Sequence, residues 1–81
     1  MNPIAKYREQ KGLTQVGLAL LLGVSQPTVA QFETGGIRPG EKMVSKLATL
    51  LGIKPEALTE ELLKFYENKR HELRNKLELR S

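Results

Sequence analysis

Cysteine, tryptophan and aspartate are absent from this sequence, and histidine occurs once. Without cysteine there is no disulfide and no thiolate metal site. The lone His71 and the missing aspartates leave no metal-ligand cluster and no nucleophile–histidine–carboxylate set, so neither an enzyme nor a cofactor is expected. The longest apolar run, Val16 to Val24 with its glycines, is far too short to span a bilayer. The opening Met1-Asn2-Pro3-Ile4 lacks the basic segment and long apolar core of a secretory signal. A cytoplasmic protein without a membrane partner is therefore expected. Strand signals, repeats and low-complexity tracts are missing too.

Eighty-one residues make one small domain, and the residues present read as helix throughout. Asn2 can cap a first helix with Pro3 at its first position, and Gly12 ends it. Thr14 can cap a second helix that Gly23 stops. Ser25 can cap a third, with Pro27 in its first turn, where the backbone N–H is unused. Gly35-Gly36-Ile37-Arg38-Pro39-Gly40 reads as a loop. A fourth helix runs from about Glu41 to Leu51, and Pro55 can open a fifth. Apolar spacing predicts a core of Ile4, Leu13, Leu18, Ala19, Leu22, Val24, Val29, Phe32, Val44, Leu47, Leu51, Ile53 and Leu58. The second and third helices, spanning Thr14 to Glu33, face each other across a tight turn. That is the layout of a helix-turn-helix, whose second helix enters the DNA major groove.

Charge follows the same division. The formal net charge is +4, and residues 1–54 carry all of it, with seven basic and three acidic groups. The remaining residues balance six against six. An excess of positive charge on the half that holds the helix pair suits a polyanion partner. The segment from Leu58 onward is long, highly charged and free of glycine and proline. Glu60/Lys64 and Glu72/Lys76 stand at i, i+4 in the favourable order. Leu62, Tyr66, Leu73 and Leu77 mark a sparse stripe interrupted at Lys69. Such a stripe does not hold a lone helix in water. It needs the domain, a second copy or a partner to cover it.

Several motifs, in order and spacing, resemble the phage-repressor-like helix-turn-helix family, which includes the lambda and 434 repressors, Cro and the xenobiotic-response-element type regulators. They are Lys11-Gly12-Leu13-Thr14-Gln15, Leu18-Ala19, Leu22-Gly23-Val24-Ser25, Val29, Phe32-Glu33, Gly35, Pro39, Lys46-Leu47-Ala48 and Leu51-Gly52-Ile53. The resemblance covers about residues 4–58. It implies an all-α, compact five-helix bundle, with an extended C-terminal helix added here. The expected division is a DNA-binding domain at 1–58 and a helical extension at 59–81.

The resemblance also implies roles. Thr14 and Gln15 would sit at a DNA phosphate, Gln15 through its backbone N–H and side chain. Gln26 opens the recognition helix, and its amide suits the adenine edge. In 434-like members, glutamines at the positions of Gln15 and Gln26 brace each other. Ser25 belongs to the same DNA-binding set, and Pro27, Thr28 and Gln31 face bases. Arg38 and Lys42 lie in the loop and helix start that approach the backbone. Here the sequence departs from the family's Glu-Asn-Gly-Lys-Arg run, reading Glu33-Thr34-Gly35-Gly36-Ile37 with the arginine moved to Arg38. Arg8 and Glu33 match a pair that bonds inside the domain, with a phosphate contact as the other role for Arg8. The function implied is a sequence-specific transcriptional regulator, a repressor binding a palindromic operator as a homodimer. Leu62, Phe65, Tyr66, Leu73 and Leu77 would form the dimer or partner interface. The other reading is an antitoxin or accessory protein whose C-terminal helix binds a protein partner. Gly17 has no evident reason to stand inside a helix, where it costs roughly 0.5–1 kcal/mol relative to alanine.

Overall fold

Local chemistry sets each helix boundary, and packing then assembles five helices. The computed structural model describes residues 2–80, with side chains described as far as residue 76. The helices are α1 (Pro3–Gln10), α2 (Gln15–Leu22), α3 (Gln26–Thr34), α4 (Glu41–Leu51) and α5 (Pro55–Arg80). There is no strand among the described residues.

The side chain of Asn2 accepts from the Ile4 N–H at 2.7 Å and starts α1. Its amide nitrogen donates to the Phe32 carbonyl at 3.2 Å, which ties the start of α1 to α3. Asn2 is accordingly buried, with both ends of its amide satisfied. Thr14 and Ser25 cap α2 and α3 through Gly17 N–H and Thr28 N–H. The chain leaves α2 through Gly23 at φ 73°, a left-handed conformation that suits glycine.

The core is one cluster drawn from all five helices. Ile4, Leu18, Val29, Leu47 and Leu58 are its largest fully buried side chains. Each such side chain contributes about 1.5–3 kcal/mol relative to exposure. Leu13, Val24 and Ile53 pack against this cluster while only partly buried. Glu61 adds a polar tie between α1 and α5, accepting from Lys6 Nζ at 2.7 Å and from the Tyr7 hydroxyl at 2.5 Å. The hydrogen bond from Lys6, then that from Tyr7, holds the Glu61 carboxyl below its ordinary value, and Glu61 in turn raises both partners.

The tail behaves differently from the expected interface. The core continues past residue 58 along α5, and Leu62 and Tyr66 are buried in it, at 3% and 9% exposure. Phe65 is half-buried against the same cluster and meets Tyr66 edge to face, with ring centroids 5.7 Å apart. Leu62 and Tyr66 are covered by their own chain and Phe65 partly so, which leaves little of the three exposed. The physical reason is that the 59–69 portion of α5 lies directly on the bundle. Leu73, in contrast, is 57% exposed. Leu77 lies outside the residues whose side chains are described. The described residues extend over 44 × 25 × 22 Å, elongated by this helix.

Candidate nucleic-acid interface

The N-termini of α2 and α3 meet through side-chain hydrogen bonds whose direction is imposed from inside the domain. Arg8 lies at the start of that chain of bonds. Its Nε donates to Glu33 Oε2 at 2.6 Å and its Nη2 to Glu33 Oε1 at 3.0 Å. Its Nη1 donates to the Leu13 carbonyl at 2.8 Å. The two side chains are 11% and 8% exposed. These hydrogen bonds to Glu33 raise the arginine further above its ordinary value. A guanidinium used on three sides in this way positions the domain interior.

The pair then orients two glutamines. A carboxylate only accepts, so Gln15 must present its NH2 to Glu33, and Nε2 donates to Glu33 Oε1 at 3.0 Å. That leaves Gln15 Oε1 pointing the other way, as an acceptor. Gln26 must therefore donate, and its Nε2 meets Gln15 Oε1 at 2.7 Å. Gln26 is exposed at the opening of α3. Its second amide hydrogen and its Oε1 remain for another partner. Those two groups match N7 and the N6 amine of adenine in the major groove. The polarity of a nearly buried ion pair thus reaches the surface through two amides.

The capping residues stand beside this network. Thr14 Oγ1 accepts from Gly17 N–H at 2.9 Å. A Cβ at residue 17 would come within 3.2 Å of that hydroxyl oxygen, which gives the helical glycine a local reason: it keeps the cap uncrowded. Ser25 Oγ accepts from Thr28 N–H at 3.3 Å, and the two hydroxyls lie 2.8 Å apart. Pro27 is exposed in the first turn of α3. At the other end of α2, Lys46 Nζ donates to the Leu22 carbonyl at 2.9 Å, placing a cation at the negative helix end.

The remaining expected residues lie in the loop between α3 and α4 and on the helices beside it. Gln31 is exposed, but its amide folds back over Gly36 and fills the space a side chain there would need. Arg38 lies over the Tyr66 ring, 4.3 Å from its centroid. Lys42 stands exposed in the first turn of α4. Three residues of α5 hold this loop. Phe65 sits under Gly35, where a Cβ would be 3.2 Å away. Tyr66 carries Arg38, and Lys69 Nζ donates to the Thr34 carbonyl at the end of α3. Sequence reading missed Tyr66 and Lys69 in this role. The signal available was Lys69 itself, a cation breaking an apolar stripe. Among the described residues no three His, Cys, Asp or Glu side chains converge as metal ligands. No described helix is long and apolar enough to cross a membrane.

Comparison with known proteins points the same way. A family model described as "Helix-turn-helix" matches residues 4–58. An uncharacterized HTH-type transcriptional regulator of Methanocaldococcus jannaschii is 40% identical over 55 residues, covering 68% of this chain and 83% of that one. A protein of Yarrowia lipolytica provisionally named multi-protein-binding factor 1 is 39% identical over 51 residues. That match covers 63% of this chain, which spans only 34% of the length of that relative. No solved structure matches the chain.

Proposed function

The chain belongs to the phage-repressor-like, Cro-type helix-turn-helix family of DNA-binding regulators, and from that premise we propose that it is a repressor acting as a homodimer on a palindromic operator. The observation that carries this reading is the Arg8–Glu33–Gln15–Gln26 chain of hydrogen bonds. It presents Gln26 with a fixed polarity that fits one base edge. Preorganisation of this kind is what discrimination needs, since an amide free to rotate accepts either polarity of partner.

In this reading α3 enters the major groove, with Gln26 on adenine and Pro27, Thr28 and Gln31 along the same groove. Thr14, Gln15 and Ser25 fix the register at the backbone. Arg38 and Lys42 neutralise phosphates beside them, Arg38 from its seat on Tyr66. Two copies would place two such helices on half-sites about 34 Å apart. Occupying a promoter in the cytoplasm would then block polymerase.

The test begins with binding sites selected from a pool of random duplexes. The expected result is a two-fold consensus bound at least 1000-fold more tightly than shuffled duplex, with affinity falling steeply as salt rises. Equal affinity for selected and shuffled duplexes would refute the proposal. A second reading, an accessory protein that binds another chain, is favoured by the exposed Leu63 and Leu73 of α5. Stoichiometric co-purification of a second polypeptide from the native source would support it.

A further inference from the structure

One face of α5 changes charge sign along its length. Glu56, Glu60, Leu63, Glu67, Arg70 and Arg74 follow one another at steps of three or four residues, so they line a single stripe of the helix. The acidic end of that stripe borders a groove of roughly 720 Å³ between α4 and α5. Val44, Leu63 and Pro39 make it apolar, and Glu41, Glu56 and Glu60 rim it, with no lysine or arginine in the lining. Lys64 pairs with Glu60 from outside the groove, at 3.6 Å. Leu63 is 58% exposed on this face. The other end of the stripe is basic. Residues 69–76 hold Lys69, Arg70, Arg74 and Lys76 against the single Glu72, and all of them are exposed. Leu73 lies exposed on the adjoining flank.

We propose that a second copy of this chain fills the groove. The 70–76 portion of the partner's α5 lies antiparallel along Pro55–Glu60. The partner's Arg70 and Arg74 then face Glu60 and Glu56, and the partner's Leu73 meets the apolar floor near Val44. Two-fold symmetry repeats each contact, so one face serves both subunits. A parallel arrangement would set glutamate against glutamate and arginine against arginine, which excludes it. None of the lining residues belongs to α2 or α3, and the reading surface stays open. Covering by a neighbour also supplies what the 70–76 portion lacks alone, since an unpacked helical segment of this length is marginal in water. This inference rests on the homodimer reading above and assigns its interface.

Light scattering and sedimentation equilibrium on the full chain test it, with two charge-reversed variants. E56R/E60R makes the stripe wholly basic at its ends, and R70E/R74E makes it wholly acidic. Wild type should be dimeric, and each variant alone should dimerise at least tenfold more weakly. An equimolar mixture should form a heterodimer of wild-type strength, because each variant offers what the other lacks. The fourfold variant should dimerise with itself again. All four substitutions are at exposed positions, and recovery in the mixture shows that the variants remain folded. A monomeric wild type at 100 μM would overturn the proposal. So would dimers indifferent to the reversals, or a mixture that fails to associate. A monomer that still selects one duplex sequence would refute this interface while leaving the DNA-reading function standing. A charge-sensitive dimer that selects no sequence would do the reverse.

Discussion

The α2–α3 pair and the long α5 helix both carry polar side chains at the surface, yet they order them differently. In the pair, Gln26 is exposed but connected, through Gln15 and Glu33, to a guanidinium that is nearly buried. In α5, order comes mainly from burial, with Glu61 bonded to Lys6 and Tyr7 and Lys69 to the Thr34 carbonyl. Leu58, Leu62 and Tyr66 pack into the core, and beyond Lys69 the described side chains are all exposed. Burial fixes where an apolar side chain goes, but it does not give a polar group a direction. Hydrogen-bond polarity does, because a carboxylate can only accept and each amide has two distinct ends. The surface proposed to read bases is built on a relay of such directional bonds.

Removing the origin of that direction should have the largest effect. Arg8→Ala leaves a nearly buried carboxylate without its cation and should cost about 3–5 kcal/mol. In a domain this small that lowers the melting temperature by well over 10 °C, measured by circular dichroism. R8M/E33M removes both charges and should regain most of the stability. It should still lose base discrimination, since Gln15 is no longer oriented. Recovery of both together would show that the network serves only the fold.

Leucines along α5 should separate its two portions. Leu62→Ala opens a cavity in the core and should cost about 2–5 kcal/mol. Leu73→Ala, measured at concentrations too low for the proposed dimer, should stay within about 0.5 kcal/mol of wild type. Similar losses at both positions would mean that the whole helix packs on its own domain.

A smaller effect is expected at the tie between α1 and α5. Glu61 is held below its ordinary 4.5, so its contribution is present above that pH and is lost as pH falls through the lower folded value. Tyr7 and Lys6 are raised from 10.0 and 10.5, so their contributions are present below those values and lost as pH climbs past them. Glu61→Gln should therefore flatten both limbs of the melting temperature against pH. An unchanged acid limb would place the acid sensitivity elsewhere.

The sequence made the helix ends legible, because caps are local. Asn2, Thr14 and Ser25 each bond an N–H two or three residues away. Those ends and the apolar spacing mark out the helices, and the family resemblance implied how they bundle. The Gln15–Glu33 bond was not legible, since it joins residues 18 apart and exists only once α2 and α3 have packed. Nor was the fate of Leu62 and Tyr66. An apolar stripe looks the same whether its cover comes from its own chain or another. Lys69 read as a flaw in that stripe, and its bond to the Thr34 carbonyl is the reason it stands there.

A double-mutant cycle at Gln15 and Gln26 bears most directly on the proposed reading of DNA. The quantity is the ratio of affinities for selected and shuffled duplex, which cancels uniform phosphate contacts. Gln26→Ala should reduce that ratio by about 1–3 kcal/mol. Gln15→Ala should reduce it nearly as much, through loss of orientation, and the double variant should be little worse than either. A Gln15→Ala protein with undiminished discrimination, or losses that simply add, would contradict the account.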